Sequence, residues 1–328
     1  MIESRGTIDG IHQVLKMVAP GTALREGLEN VLRANTGGLI VLGDTPEILE
    51  MVDGGFRLDT DFTPANLYEL AKMDGAIILS HDARKIVMVN TMLTPDTSIA
   101  SSETGIRHRT AERVAKSTGL LAISISQRRS IITLYKGNAK YPLRDISVIL
   151  GKANQALQTL DKYQSVLKEA LVDLSILEFD DMVSLSDVAT TLQRFEMAAR
   201  VAREISRYIN ELGIEGRLIK MQLDELVGGS GREGQLLIRD FCTPERIEQT
   251  KEMEQELSSL SAEDLLDVNS FCRVLGYGNG ANVLEQPLIS RGYRILNKVP
   301  RLPFSVIENM VETCGTLNTV LKASGDEL

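Results

Sequence analysis

The sequence predicts an α/β domain with a mixed central sheet flanked by helices, followed by an all-α spacer and a short C-terminal helical domain. Three observations predict this order. Apolar strands alternate with helices over residues 1–148, long helices with heptad-like spacing fill residues 149–276, and a short segment interrupted by prolines occupies residues 277–328. The charge pattern agrees, because the whole net charge of −9 lies in the middle region.

The α/β region opens with a helix and a strand. Thr22 can cap the helix, Gly37-Gly38 ends it, and residues 39–42 form a short apolar strand. Apolar residues recur on one face of this helix at helical spacing: Leu24, Leu28, Val31 and Leu32. Thr63-Pro64 opens a second helix, to about Lys72, because proline suits the first helical position.

Four further apolar segments predict strands, at residues 76–79, 85–89, 121–126 and 130–135. A helix at 110–117 separates the second from the third, and a tight turn joins the last two. Helices mixed with apolar strands in this way predict a mixed sheet that is covered by helices.

The middle region begins near Gly151. Apolar residues spaced alternately by three and four form a heptad-like stripe from Leu157 to Leu174. A second long helix begins at Ser186-Asp187 and can end at a Gly213 cap, and Thr243-Pro244 opens a third, acidic helix. The stripe could be a seam between subunits, but we expect it to be the core of an intramolecular bundle.

Composition excludes several classes of protein. No apolar run reaches the ~18 residues of a membrane span, and the N-terminus lacks the layout of a secretory signal, so we expect a cytoplasmic protein without a membrane partner. The three cysteines show no CxxC spacing and are interpreted as reduced thiols. The acidic middle region should repel nucleic acid, whereas the two ends need not.

The first candidate site is Asp74-Gly75-Ala76, where a helix passes into an apolar strand. A carboxylate beside a glycine could hold a divalent metal while the backbone approaches a nucleotide closely. Ligands usually gather after parallel strands, and Asp74 precedes its strand, so that general rule does not select it. The alternative is an ordinary solvated turn.

The second candidate site is Arg107-His108-Arg109, directly before a predicted helix. Two guanidinium groups, free backbone N–H groups and the helix dipole together favour a polyphosphate. Basic residues near a helix N-terminus are otherwise unfavourable, and such a conflict is typical of a functional site. Ser126 and Arg128, at the turn between two strands, could meet terminal phosphates. A solvated basic turn and a polar hairpin are the alternatives.

Together these residues resemble the diadenylate cyclase family. The resemblance depends on pairing Asp74-Gly75-Ala76 with Arg107-His108-Arg109, which is more specific than either tripeptide, and it extends over the whole chain. It implies a nucleotidyltransferase that joins two ATP molecules into cyclic di-AMP and releases two pyrophosphates, with Mg²⁺ or Mn²⁺ as cofactor. It also implies an octamer that branched DNA inhibits.

The family pattern assigns roles to residues of this sequence. Asp74 would hold the metal and the attacking 3′-hydroxyl, Gly75 would contact the nucleotide through its backbone, and Leu93 would lie against adenine. The residues that would wrap the phosphates are Ile106, Arg107, His108, Arg109 and Thr110, with Ser126 and Arg128 at the outer ones. The catalytic set is Asp74, Arg107, His108 and Arg109. Because the product has twofold symmetry, we expect a homo-oligomer whose active sites face each other.

The C-terminal region contains a third candidate site. Four basic residues and no acidic ones lie between Leu288 and Pro303: Arg291, Arg294, Lys298 and Arg301. A helix follows, and its first backbone amides can bind a phosphate without reading a base. The resemblance implies a helix-hairpin-helix domain that binds branched DNA, although proline and arginine replace the usual glycine-rich hairpin. A helical cap with a solvated basic face is the alternative.

Two functional classes stay open. One is an ATP-using cyclase coupled to sensing of branched or damaged DNA. The other is a non-catalytic, oligomeric DNA-junction-binding protein with a vestigial nucleotide pocket. The intact Asp74 and both arginines of the basic tripeptide favour the cyclase.

Overall fold

The predicted α/β region is built on an eight-stranded mixed sheet in the computed structural model, which describes residues 13–278 and 281–323. In chain order the strands are β1 (Gly38–Leu42), β2 (Val52–Asp53), β3 (Phe56–Asp61), β4 (Ala76–Leu79), β5 (Lys85–Leu93), β6 (Leu121–Ser126), β7 (Ile131–Lys136) and β8 (Ala139–Pro142). Their order across the sheet is β2-β5-β4-β1-β6-β7-β8, and β3 also pairs with β5. β1 and β4 run parallel, and the other pairings of these described strands are antiparallel.

Helices cover both faces of this sheet. They are α1 (Ala23–Arg33), α2 (Pro46–Glu50), α3 (Pro64–Leu70) and α4 (Ile106–Thr118). Successive residues of β1 point to opposite faces, so Ile40 joins the core that contains Leu28 and Leu67, whereas Val41 joins the core that contains Val114. Because β1 is covered on both faces, all of its residues are buried and its sequence is an unbroken apolar run.

The helices and strands predicted for this region are confirmed, but α1 already ends at Arg33, before the predicted stop at Gly37-Gly38, and Gly38 begins β1. Thr22 and Thr63 cap α1 and α3, because each hydroxyl accepts a hydrogen bond from the backbone N–H three residues later. The five predicted strands correspond to β1, β4, β5, β6 and β7. The sequence does not predict α2, β2, β3 or β8. β3 is largely exposed and pairs with β5 at the edge of the sheet, so it lacks the apolar pattern that marks a strand.

Contacts divide the chain into two compact units. Of the described residues, the sheet unit comprises those up to Lys152 together with Arg207–Leu218, and the helical unit comprises Ala153–Ser206 and those from Ile219 onward. The helices beyond β8 are α5 (Ile146–Phe179), α6 (Leu185–Leu212), α7 (Arg217–Val227), α8 (Ser230–Phe241), α9 (Thr250–Ser259), α10 (Val268–Val274), α11 (Ala281–Leu284), α12 (Tyr293–Leu296), α13 (Phe304–Cys314) and α14 (Leu317–Lys322). Within residues 13–278 and 281–323, no helix is long and apolar enough to cross a bilayer.

The heptad-like stripe of α5 forms an intramolecular core, as predicted. Leu160, Leu167 and Leu174 are buried, and Leu174 belongs to the core that contains Leu192 of α6 and Leu237 of α8. The predicted acidic helix differs in its first turns, because Pro244–Gln249 forms a 3-10 helix before α9 begins.

The predicted boundary between residues 276 and 277 does not separate compact units, because the residues that follow it belong to the helical unit. Asp240 of α8 is fully buried, and its carboxylate accepts hydrogen bonds of 2.7 to 2.9 Å from the backbone N–H groups of Gly292, Tyr293 and Arg294. Leu236 of α8 shares a core with Tyr293. The C-terminal segment is too short to bury a core alone, so it packs on the spacer helices.

Candidate active site

A cavity of about 560 Å³ lies in the sheet unit where several elements begin or end. β1 and β4 begin there, β5 and β6 end there, and α4 starts beside them. Because β5 and β6 run antiparallel to their neighbours, strand beginnings and strand ends meet at the same edge of the sheet. This topology explains how a motif that precedes β4 lies at a ligand-sized cavity.

The turn at Gly75 is shaped by the close approach of β5. Gly75 has a φ of +105°, and a Cβ atom there would lie 2.8 Å from main-chain atoms of both Asn90 and Thr91. Asn90 has a φ of 54° and lies at a shift of register between β4 and β5. Such bulges often occur beside active sites. Glycine is therefore required at position 75 for packing, and the main chain of this turn is left lining the cavity.

Asp74 and Arg107 meet beside the cavity although they are far apart in the sequence. Nη2 of Arg107 donates a hydrogen bond of 3.3 Å to Oδ1 of Asp74. The Asp74 side chain is fully exposed and that of Arg107 is 42% exposed. Gly37 makes room for the guanidinium group, because a Cβ atom there would lie 2.5 Å from Nη1. An ion pair so exposed adds little stability, so both groups are available to a ligand.

The basic tripeptide forms the first turn of α4, slightly earlier than the predicted start of this helix. Gly105 is the N-cap and has no side chain to accept hydrogen bonds from the first backbone N–H groups. No acidic residue occurs in the first turn, whereas Arg107, His108 and Arg109 do. Their charge opposes the helix dipole, and a bound anion would remove that conflict.

The loop in front of α4 is tied to the body of the helix. The carboxylate of Glu112 accepts hydrogen bonds from Ser101 and from the backbone of Ser102, and it pairs with Lys116. Although burial opposes ionisation, the bonds from Lys116 and Ser101 hold the pKa of Glu112 below its ordinary value. Arg113 donates to two carbonyl groups of the same loop at 3.0 Å. These contacts fix the position of the helix start.

His108 lines the cavity and is held by a chain of polar groups. Its Nδ1 atom lies 2.9 Å from the Tyr135 hydroxyl, which donates to Glu103 at 2.8 Å, and Lys140 pairs with the same carboxylate. Burial lowers the pKa of His108 below its ordinary value, against the opposing effect of Glu103. Burial and the hydrogen bond to Glu103 raise the pKa of Tyr135, so its hydroxyl stays protonated.

Most of the predicted nucleotide contacts lie around this cavity. Those that line it are Gly75, Leu93, Ile106, Arg107, His108, Thr110, Ser126 and Arg128. Asp74 is not among the lining residues but contacts Arg107, which is. Arg109 also lies outside the lining, and its Nε atom donates to the main-chain oxygen of Glu103 at 3.3 Å.

Several residues that line the cavity belong to none of the predicted motifs: Leu39, Thr91, Met92, Ile125 and Gln127. Met92 and Gln127 are direct neighbours of predicted contacts, and this adjacency is the signal that could have indicated them. Ile125 has the same signal, because it directly precedes the predicted contact Ser126. Leu39 reaches the cavity only because β1 pairs with β4 and β6, and strand order has no local signature in the sequence.

The four predicted DNA contacts of the C-terminal region differ in exposure, and the prediction for Arg294 needs correction. The Arg294 side chain is fully buried and pairs with Glu178 and Glu233, so its guanidinium group cannot reach a phosphate in this fold. Arg291 donates to three main-chain carbonyls of residues 239–242 at 2.8 to 3.0 Å. Lys298 pairs with Glu233 at 3.0 Å and is about half exposed. These three residues hold the C-terminal segment to the spacer helices.

Arg301 differs from the other three basic residues. It is exposed, has a φ of 65°, and makes no hydrogen bond or ion pair with any residue that the structure describes. It lies two residues before Pro303, which is the N-cap of α13. Of the four predicted DNA contacts, Arg301 is therefore the most accessible to a phosphate.

Two family models match the chain. Residues 25–140 match the "DisA bacterial checkpoint controller nucleotide-binding" model, and residues 143–284 match the "DisA bacterial checkpoint controller linker region" model. The chain belongs to the DisA family. All residues that line the cavity fall within the nucleotide-binding match of this family. The DisA linker match extends past the predicted boundary at residue 276, in agreement with the contacts described above.

Relatives in the DisA family are similar over nearly the whole chain. The DNA integrity scanning protein DisA of Carboxydothermus hydrogenoformans is 59% identical over 320 residues, which are 96% of this chain and 89% of that protein. The protein of the same name from Symbiobacterium thermophilum is 58% identical, over 97% of this chain and 90% of its own length. Among solved structures, DacA from Staphylococcus aureus matches 40% of this chain and 88% of its own, with 19% identity and a TM-score of 0.31.

Proposed function

We propose that this protein condenses two ATP molecules into cyclic di-AMP and two pyrophosphates, and couples this reaction to sensing of branched or damaged DNA. The observation that carries the cyclase proposal is the contact of Asp74 with Arg107 at the cavity that the basic start of α4 lines. This contact places a carboxylate, which could hold a hydroxyl or a metal, beside basic groups that could bind a triphosphate. Membership of the DisA family, with its nucleotide-binding region, supports the proposal.

The lining residues suit the parts of ATP. The free backbone N–H groups at the start of α4, with Arg107 and Arg128, would hold the phosphates, because arginine binds them bidentately. Ser126 and Thr110 would add hydroxyl donors. Leu93, which is buried, and Met92 provide an apolar surface for adenine.

The reaction requires each 3′-oxygen to attack the α-phosphorus of the other nucleotide. The new 3′-oxygen–phosphorus bond forms as the bond to pyrophosphate breaks, and the hydroxyl proton is released. Positioning and charge neutralisation supply most of the catalysis in such a transfer. Asp74 would hold the attacking hydroxyl, while Arg107 and Arg128 would neutralise the pyrophosphate that leaves.

Mg²⁺ or Mn²⁺ is the proposed cofactor, with Asp74 as its protein ligand. Residues 13–278 and 281–323 contain no group of three or more His, Cys, Asp or Glu side chains that could hold a metal ion. A single exposed carboxylate fits a cation that is bound mainly by substrate phosphates, which is how Mg²⁺ usually binds. When bound, the cation would supply further neutralisation of the triphosphate.

The exposure of the site supports a homo-oligomer with facing active sites. The Asp74 side chain is fully exposed, and the apolar Ile106 and Met92 are 83% and 66% exposed. A facing subunit with its own ATP would cover these side chains and bring each α-phosphorus to the other nucleotide. We expect an octamer from the family resemblance, and we expect isolated monomers to be inactive. A light-scattering-coupled assay that finds active monomers would refute facing sites.

Incubation with ATP and Mn²⁺, followed by mass analysis, tests the cyclase proposal. We expect cyclic di-AMP from the wild type and none from Asp74→Asn, which should still bind ATP because the triphosphate contacts are intact. Wild-type yield from Asp74→Asn would refute the role of Asp74. If the wild type binds ATP but forms no product, the alternative is favoured: a non-catalytic, oligomeric DNA-junction-binding protein with a vestigial nucleotide pocket.

The DNA-sensing part of the proposal involves a helix-hairpin-helix domain formed by the C-terminal helices. Arg301, the exposed part of Lys298 and the first backbone N–H groups of α13 would bind phosphates. The name of the relatives, DNA integrity scanning protein, supports this part. Measuring product formation with and without a four-way junction would test the coupling, and we expect inhibition.

A further inference from the structure

We propose that Glu103 and Tyr135 are positioning residues that orient His108 so that its Nε2 atom meets the bound triphosphate. The inference rests on the proposed function, since it concerns how ATP is held. Neither Glu103 nor Tyr135 lines the cavity, so both would act through His108.

The hydrogen bonds determine which nitrogen of His108 carries the proton. An ionised carboxylate only accepts, so the Tyr135 hydroxyl donates its proton to Glu103, at 2.8 Å. The Tyr135 oxygen then accepts from Nδ1 of His108, at 2.9 Å. A neutral His108 must therefore carry its proton on Nδ1, and its Nε2 atom, which bonds to no described residue, is left for the cavity.

The surroundings hold this chain of groups in place. Tyr135 is buried in the core of the sheet, and the Glu103 side chain is only 8% exposed. Lys140 pairs with the Glu103 carboxylate, and Arg109 donates to the Glu103 main-chain oxygen. Although burial opposes it, hydrogen bonds from Lys140 and Tyr135 hold the pKa of Glu103 below its ordinary value, so Glu103 stays ionised. Buried partners of this kind fix both the tautomer and the angle of an imidazole ring.

The negative charge of Glu103 favours protonation of His108 when an anion binds. Burial, Arg129 and Lys140 lower the pKa of His108 and Glu103 raises it, and the net shift is downward, which favours the neutral ring in the free protein near neutral pH. A triphosphate adds negative charge on the cavity side, so Nε2 takes up a proton from solvent and donates it in a hydrogen bond to a phosphate oxygen. Glu103, acting through Tyr135, stabilises the resulting cation.

The chain offers a matched control for Tyr135. Tyr141, in the same sheet unit, also lies beside a carboxylate, that of Glu211, and burial and Glu211 raise the pKa of its hydroxyl. Tyr141 and Glu211 do not line the cavity. Tyr141→Phe therefore removes the same group from a similar pair and should leave ATP chemistry unchanged.

Nitrogen NMR of the histidine side chains tests the orientation without any need for activity. The chain has three histidines, so the signals of His108 can be assigned with a His108→Gln variant. We expect the Nδ1–H tautomer in the full-length wild type, in Tyr141→Phe and in Glu103→Gln, whose amide oxygen can still accept from Tyr135. We expect a mixture with the Nε2–H tautomer in Tyr135→Phe. An unchanged tautomer in Tyr135→Phe would overturn the proposal.

Steady-state rates with ATP and Mn²⁺ over a range of pH test the consequence for the reaction. Partners that orient a functional imidazole typically contribute about tenfold or more, so we expect Tyr135→Phe to lose about tenfold in kcat/KM. As the pH rises, Glu103→Gln should lose activity before the wild type does. A neutral partner no longer favours protonated His108, so the ring loses its proton at a lower pH. Identical pH profiles for Glu103→Gln and the wild type would refute the electrostatic role. If the wild type forms no product, the proposed cyclase activity is refuted. The NMR measurement would still test whether Tyr135 and Glu103 orient His108, because it does not depend on activity.

Discussion

The basic cluster at the start of α4 and the basic cluster of the C-terminal region have opposite surroundings. In the sheet unit, Arg107 lies half exposed beside a cavity, and its partner Asp74 is fully exposed. In the helical unit, Arg294 is fully buried between Glu178 and Glu233. Both clusters predict an anion site from sequence. The difference teaches that a basic cluster is accessible to a ligand only where the fold leaves its charges without buried acidic partners.

Removal of the buried arginine should have the largest effect. Arg294→Ala leaves Glu178 buried without its cation, and breaking a buried pair in this way costs about 3–5 kcal/mol of stability. Burial already raises the pKa of Glu178 above its ordinary value, although Arg294 opposes this shift. Without Arg294 the folded pKa rises further, so the lost stability should return as the pH falls and Glu178 becomes protonated. Denaturant unfolding at several pH values measures both effects.

Arg301→Ala is the matched control, because it removes an exposed arginine from the same region. It should leave the unfolding midpoint unchanged. If Arg294→Ala were as stable as Arg301→Ala near neutral pH, the buried pair would not hold the C-terminal segment in place.

Arg107→Ala should produce the opposite result, a large loss of activity with little loss of stability. Preorganised groups that stabilise charge in a transition state typically contribute about 10²–10³ in rate, and we expect a loss of this size in cyclic di-AMP formation. The unfolding midpoint should not change, since the pair with Asp74 is exposed. A large fall in the midpoint would show that Arg107 is a structural residue like Arg294.

The contrast also explains which parts of the molecule the sequence could predict. The apolar runs and capping threonines predict the main strands and helices of the sheet unit, because these signals are local. The partners of Arg294 are not local, since Glu233 and Glu178 lie 61 and 116 residues before it. The edge strand β3 lacks a pattern for a related reason: it is largely exposed, and it pairs with β5, which lies far from it in the sequence. At the cavity, motif residues and their direct neighbours are predictable, whereas Leu39 depends on strand order.

A smaller effect is expected when the position of Arg107 changes and its charge is kept. In Gly37→Ala, the new Cβ atom would lie 2.5 Å from Nη1 of Arg107. The end of an arginine can move at little energetic cost, so stability should hold, but misplacement of a catalytic group lowers the rate, here by about tenfold. Gly38→Ala is the control, because its nearest side-chain neighbour is Ile40 at 3.4 Å. Equal rates for the two variants would contradict the placement of Arg107 at the reacting phosphates.

The smallest expected effect concerns the exposed arginine of the C-terminal cluster. If Arg301 binds a DNA phosphate, Arg301→Ala should weaken binding of a four-way junction at low salt and reduce the slope of log affinity against log salt by about 1. Lys322→Ala removes the same charge from α14 and should leave the slope unchanged. A reduced slope for Arg301→Ala alone would show that the C-terminal cluster keeps one arginine free for an anion. The two clusters would then differ only in how many of their basic residues can bind a ligand. Identical slopes for both variants and the wild type would show that the C-terminal cluster has a structural role alone. Of the two clusters, only the one at the start of α4 would then be a candidate anion site.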